Sequence, residues 1–211
     1  GIVNSKNMQA AAVGDLNGDG ALDIVLGYGG NCGGTRQIYF SDGAGNFGSP
    51  TPVGGTDTFA VALGDLNGDS ALDIVFGKHS NPSEIYWNNR EGEGEFPQHS
   101  LIGAGGTGAV AIGDLNHDQR LDIVLGNDDR PSDIYFNEGG GNFSSARLIG
   151  SERDGTHAVA LGDLNADGAL DIVLGNDTTP SQIYLNDGTG GFTLAGFLGS
   201  GTRQDVAIGD L

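Results

Sequence analysis

The stretch Asp15-Leu16-Asn17-Gly18-Asp19-Gly20-Ala21-Leu22-Asp23 decides the fold, because it returns with small changes at Asp65, Asp114 and Asp163 and begins again at Asp210. The steps are 50, 49, 49 and 47 residues. A period of that size is one supersecondary unit stacked on copies of itself. The repeats run over approximately residues 9–58, 59–107, 108–156 and 157–204, with a partial fifth at 205–211, and the 211-residue chain reads as a single repeat domain.

The loop also carries chemistry. Oxygen-bearing side chains stand at positions 1, 3, 5 and 9 (Asp15, Asn17, Asp19 and Asp23), and the carbonyl of Ala21 is available at position 7. That spacing can wrap around one hard divalent cation, as the oxygen ligands of an EF-hand loop do. No nitrogen or sulfur ligand is offered, which disfavours zinc and copper and points to calcium. Gly20 at position 6 permits the positive φ that lets the backbone double back. The alternative is a metal-free acidic turn in which aspartate and asparagine bond their own backbone. Four complete copies in register argue for the ion.

The copies differ in ways that bear on affinity. Asp65, Asn67, Asp69 and Asp73 with the Ala71 carbonyl, and Asp114, Asn116, Asp118 and Asp122 with the Arg120 carbonyl, keep the full ligand pattern. Ser70 and Gln119, however, replace the position-6 glycine and are forced into a left-handed backbone, so these two sites are expected to bind more weakly. Asp163, Asn165, Asp167, Ala169 and Asp171 match the first loop and retain Gly168. The fifth copy stops at Leu211, before its second ligand, leaving up to four calcium ions.

Charge supports the same reading. The formal net charge is −19, and 13 of the 28 acids lie in the repeated motif. Such acidity makes nucleic acid an improbable partner. No apolar run approaches the roughly 20 residues of a membrane-spanning helix, so membrane insertion is not expected. Glycine is abundant without a collagen period, and the lone Cys32 excludes an internal disulfide framework. The chain begins at Gly1 without a signal peptide and stops inside a motif, which reads as a processed product or a fragment.

Outward from each loop the pattern is all β. A short apolar strand precedes it (Ala10 to Val13, Ala60 to Leu63, Ala109 to Ile112, Ala158 to Leu161, Val206 to Ile208), with alanine three residues before the first aspartate at Ala12, Ala62, Ala111, Ala160 and Ala207. The repeated small residue implies a crowded position. A second strand runs from Asp23, Asp73, Asp122 and Asp171, and a turn such as Arg130-Pro131-Ser132 leads to a third containing Ile38-Tyr39, Ile85-Tyr86, Ile134-Tyr135 or Ile183-Tyr184. A glycine-rich hairpin then introduces a fourth strand expected near Phe47, Phe96, Phe143 and Phe192. Four short antiparallel strands per repeat, apolar on both faces, are what a β-propeller blade requires. A stacked β-solenoid is the alternative.

The string from Val159 to Val173, followed by Ile183-Tyr184-Leu185-Asn186-Asp187-Gly188 and Phe192, resembles the FG-GAP or VCBS repeat, which builds the calcium-binding propeller of integrin α subunits and many bacterial surface proteins. The resemblance covers nearly the whole chain. It implies a calcium ion in the loop between the first and second strands of each blade, held by the aspartates and asparagines named above. Integrin-type propellers have seven blades, whereas this chain carries four repeats and the first strand of a fifth. It therefore closes alone, pairs with a second chain, or belongs to a longer array.

Function is expected where the repeats differ, because the shared residues serve fold and metal. The link from Tyr28 to Arg36 is longer than its counterparts, the hairpin from Asn88 to Glu95 has two extra residues, and Ser151 to His157 is expanded by two. The face carrying Tyr28, Arg36, Arg153 and His157 is the expected partner surface. An extracellular adhesion, scaffold or assembly module follows as the first reading, with a protein or glycan ligand or a second copy as partner. A lectin is the alternative, with Trp87 and Tyr28 stacking on sugar rings. A calcium-dependent polysaccharide lyase comes third, because His79, His99, His117 and His157 share no repeat position and no obvious acid partner, so the chain is read as non-catalytic. The calcium demand of such loops suits the millimolar levels found outside cells. Asn142-Phe143-Ser144 and Asn176-Asp177-Thr178 match the N-glycosylation pattern.

Overall fold

A computed structural model describes residues 7–29, 34–89, 94–199 and 206–209. These contain eighteen strands and no helix, and no helix is long and apolar enough to cross a membrane. The first sheet joins β1 (Met8–Gly14), β2 (Asp23–Tyr28), β3 (Arg36–Tyr39) and β4 (Thr51–Val53) in that order. The second joins β5 (Thr58–Gly64), β6 (Asp73–Lys78), β7 (Ser83–Trp87) and β8 (Gln98–Ile102). In the third, β9 (Thr107–Gly113), β10 (Asp122–Asn127) and β11 (Ser132–Tyr135) are followed by a small hairpin of β12 (Asn137–Gly139) and β13 (Asn142–Phe143) before β14 (Arg147–Ile149) completes the sheet. The fourth joins β15 (Thr156–Gly162), β16 (Asp171–Asn176), β17 (Ser181–Asn186) and β18 (Phe192–Leu198). All pairings are antiparallel, and each acidic loop connects strands held in one register, with Gly14 opposite Asp23, Gly64 opposite Asp73, Gly113 opposite Asp122 and Gly162 opposite Asp171.

The chain gathers into two compact units, Gly1–Asp65 with Asp69–Gly105, and Leu66–Gly68 with Gly106–Leu211. Each has its own core between two sheets. In the first, Leu16, Val25, Ile38, Val53, Ile74, Phe76 and Tyr86 pack together, and in the second Leu115, Val124, Ile134, Ile149, Ile172, Leu174 and Tyr184 do so. The two sets occupy equivalent repeat positions. Apolar residues on alternating strand positions therefore meet across the sheet pair, the arrangement that sequence periodicity demands.

Several expectations are corrected. The alanines Ala12, Ala62, Ala111 and Ala160 are only half-buried. The close approach falls instead on the glycine two residues later: a Cβ on Gly14 would stand 2.7 Å from Leu72, one on Gly113 2.9 Å from Leu161, and one on Gly162 2.8 Å from Ile208. The outer strand begins at Thr51, Gln98 and Arg147 rather than at the phenylalanines, and only β18 starts at Phe192. Phe47 makes an isolated bridge to Ser41, and Phe143 belongs to the short hairpin. Val206 to Ile208 forms no strand. Cys32, the loop tip between β2 and β3, the inserted residues of the Asn88 to Glu95 hairpin, and Asp210 lie outside the described residues.

Candidate functional site

Each acidic loop is a network of carboxylates on backbone amides. In the first, Asp15 accepts hydrogen bonds from Gly18 N at 2.7 Å and Gly20 N at 2.9 Å, and Asp19 accepts from Ala21 N at 2.7 Å. Asn17 Nδ2 donates to Asp19 at 2.9 Å while Asn17 Oδ1 accepts from Asp19 N at 3.1 Å. The pattern returns as Ser70 N to Asp65 and Ala71 N to Asp69, as Gln119 N to Asp114 and Arg120 N to Asp118, and as Gly168 N to Asp163 and Ala169 N to Asp167. Asn116 and Asn165 repeat the bridge of Asn17 to the position-5 aspartate. Asn67 has polar interactions of its own within a loop that resembles the others.

Position 9 behaves differently. Asp23, Asp73, Asp122 and Asp171 are completely buried. Asp23 receives Leu16 N on one oxygen and Ser41 N on the other, both at 2.9 Å. Asp122 receives Leu115 N and Asn137 N, and Asp171 receives Leu164 N and Asn186 N, each at 2.8 Å. One carboxylate thus ties the loop to the end of the third strand. Burial pushes the Asp122 carboxyl up to about 6 against the pull of these two amides, and the charges of Asp118 and Asp114 add to the rise.

The left-handed positions are as expected, and more numerous. Ser70 and Gln119 have φ of 70° and 67°, matching Gly20 at 87° and Gly168 at 92°. Position 4 is left-handed as well, with Gly18 and Gly68 joined by His117 and Ala166 at 59° and 61°. Glycine at two of the four copies was the signal. In the third loop the Arg120 guanidinium pairs with Asp118 and donates through Nε to the Asn137 carbonyl at 2.7 Å, placing a resident cation on a candidate ligand.

A set of residues not singled out by the sequence ties consecutive loops together. Asn88 Nδ2 donates to the carbonyls of Leu16 and Leu72 at 2.8 and 3.1 Å. In the second unit, Asn137 Nδ2 donates to Leu66 and Leu121, and Asn186 Nδ2 to Leu115 and Leu170. Each asparagine is buried and joins its own loop to the leucine carbonyl of the loop one repeat earlier. The Ile-Tyr-x-Asn string was visible in three repeats, and Ser41 takes its place in the first.

The other candidate ligand binders separate. Arg36 is fully buried, donating to Thr58 Oγ1 at 2.7 Å and to Glu84 at 2.6 Å, with its guanidinium carbon 4.0 Å from the Phe76 ring centroid. It is a packing residue, not an exposed ligand contact. Tyr28 is buried and its hydroxyl bonds Gln37 at 3.0 Å. Half-buried Trp87 donates to Ser100 Oγ at 2.9 Å. Arg153 is exposed in a turn organised by buried Asp154, which accepts from Ser151, Thr179 and Gln182. His157 does have acid partners, with Nε2 3.2 Å from Asp128 and 3.9 Å from Asp177, which corrects the sequence expectation. Asn176 is buried, so its glycosylation pattern is silent, whereas Asn142 is exposed.

The donor set is chemically suited to a hard cation, since every loop offers only oxygen. As the side chains stand, no group of three or more His, Cys, Asp or Glu residues converges on a common point among the described residues. The carboxylates are engaged with loop amides instead.

Comparison with known families places the chain. The description "FG-GAP-like repeat" matches three overlapping stretches, residues 15–76, 65–125 and 114–174. The chain belongs to the FG-GAP repeat family, and its class is an all-β protein built of repeated four-stranded antiparallel sheets. No curated protein matches it. Among solved structures, BBS1N in complex with ARL6DN, from a lead-soaked crystal, superposes with a TM-score of 0.61 at 13% identity, covering 90% of this chain and 56% of that one. The V. cholerae biofilm matrix protein Bap1 gives 0.52 at 21% identity, covering 89% and 30%. The exotype rhamnogalacturonan lyase YesX gives 0.54 at 14%, covering 93% and 50%. At these identities the likeness is one of fold, and the chain spans between about a third and just over half of each neighbour.

Proposed function

We propose that this chain is a calcium-supported portion of a β-propeller that works as a non-catalytic protein-interaction module outside the cell. The supporting observation is the fourfold loop in which acidic side chains at positions 1 and 5 sit on one turn and a fully buried aspartate at position 9 anchors that turn to the sheet. A divalent ion bridging these oxygens would offset carboxylate repulsion at the point where neighbouring loops are tied by Asn88, Asn137 and Asn186. Asp15, Asp19 and Asp23 with Asn17 and the Ala21 carbonyl would hold it in the first loop, and the corresponding residues would do so in the other three. Bap1 is a biofilm matrix protein and BBS1N was crystallised with a protein partner, which supports an adhesion or scaffolding role. Leu164, the last leucine of the loop series among the described residues, is 42% exposed, whereas Leu16, Leu66 and Leu115 are covered. A further repeat, in an array or a second copy, would cover it.

Isothermal titration of metal-free protein with calcium tests the reading. Binding of up to four ions, weaker in the Ser70 and Gln119 loops, is expected at dissociation constants on the order of 10⁻⁴ to 10⁻³ M. No heat and no stabilisation at millimolar calcium would reject it.

A further inference from the structure

The first unit contains a groove of 480 Å³ beside β4, walled by Phe40, Pro52, Tyr86, Phe96 and Pro97 with exposed Glu95 among its lining residues. The second unit has the same place in its fold, and there it is occupied. Thr51 lies opposite Ile38 in the first sheet just as Arg147 lies opposite Ile134 in the third. Gly94 and Gly190 are likewise equivalent, because a Cβ on the first would strike the Phe40 ring at 2.3 Å and one on the second the Phe136 ring at 2.7 Å. In the second unit the Arg147 side chain crosses this gap and donates from Nη1 to the Gly190 carbonyl. It also lies close enough to Asp187 to help hold that carboxylate low, behind hydrogen bonds from Thr189 and Gly191.

The first unit departs from this at three positions. Thr51 is too short to span the gap that Arg147 spans. Glu95 stands immediately before Phe96 where Gly191 stands immediately before Phe192, and Asn89 replaces Asp187. A Cβ on Gly191 would meet the Asp187 carboxylate, so Glu95 puts a carboxylate back at the place that Asp187 occupies in the second unit. The first unit has therefore lost the resident guanidinium while keeping one carboxylate and the aromatic walls. Guanidinium groups stack on aromatic faces and donate to carbonyls and carboxylates from one plane, which a compact ammonium does less well. The net charge of −19 attracts a cation to the groove from a distance. From these observations we infer that the groove binds an arginine side chain presented by a partner protein, taking the place that Arg147 fills in the second unit.

The groove lies apart from the acidic loops, so this inference goes beyond the calcium reading and fails separately from it. The test is a chemical-shift titration of the full chain in calcium buffer, with a dispersed spectrum verifying the folded state, using acetyl-Ala-Arg-Ala-amide as probe. The citrulline analogue, which keeps the shape and removes the charge, should bind about tenfold more weakly. Glu95→Gln should weaken arginine binding by a similar factor. Thr51→Arg, an exposed edge-strand change that copies the second unit, should abolish it with the spectrum otherwise preserved. Equal binding of the two peptides, unchanged binding in Thr51→Arg, saturation of the groove by a neutral hexose instead, or no shift at all would overturn the inference.

Discussion

Asn186 shows how one side chain serves two repeats. It is buried, its amide donates to Leu115 and Leu170 carbonyls, and its Oδ1 accepts from Gly188 N at 3.1 Å. Truncation leaves buried carbonyls without their donor, so Asn186→Ala should cost about 2–4 kcal/mol in urea unfolding. A loss within the ordinary surface range would show that the tie is incidental. Gln119 makes the opposite prediction, because its φ of 67° suits glycine. Gln119→Gly should raise stability by about 1 kcal/mol and shift the melting temperature upward. The aspartates and the left-handed position 6 were legible because spacing and glycine content encode them directly. The asparagine tie was not, because its partner lies one repeat away and nothing local in Ile-Tyr-x-Asn specifies a carbonyl some 71 residues earlier in the chain.

The strands themselves were readable from alternation, but their ends were not. Phe47 and Phe143 look like strand starts, yet in the first and third repeats the chain makes a bridge or short hairpin there and the outer strand forms later. Aromatic content misleads here, because Phe47 is 45% exposed and neither Phe47 nor Phe143 belongs to a core. Arg36 taught a similar lesson. It holds the position that Ser83, Ser132 and Ser181 hold in the other repeats, and it substitutes a buried ion cluster for a small hydroxyl. Its partner Glu84 is pushed up by burial, but hydrogen bonds and charge from Lys78 and Arg36 outweigh that and hold it below 4.5. A lowered folded pKa contributes stability above the unfolded value and loses it as pH falls through the folded one. Glu84→Gln should thus cost about 3 kcal/mol near neutral pH, by leaving the Arg36 charge buried without its partner. The difference from the wild type should shrink as the pH is lowered below 4.5. A pH-independent difference would assign the cost to packing alone.

At the scale of the whole molecule, the two units carry equivalent cores, and substitution at equivalent positions should cost alike. Ile38→Ala and Ile134→Ala, both at fully buried sites, should each lose about 2–5 kcal/mol in chemical unfolding. The period of the acidic loop made the repeated sheet and the family legible from sequence alone. The gathering into two units was not, since every repeat boundary looks the same in sequence. Neither was the arginine-shaped groove, which appears only when Thr51 and Arg147 are compared in three dimensions.

The central claim is that the acidic loops hold calcium and that the ion supports the fold. The most direct measurement is the melting temperature of the full chain in millimolar calcium and then in excess chelator. At a dissociation constant of about 10⁻⁴ M, millimolar calcium contributes roughly 1.4 kcal/mol per site, so over several sites a reversible drop of several degrees on chelation is expected. An identical melting temperature in the two buffers would contradict the claim and leave the loops as acidic turns closed by their own amides.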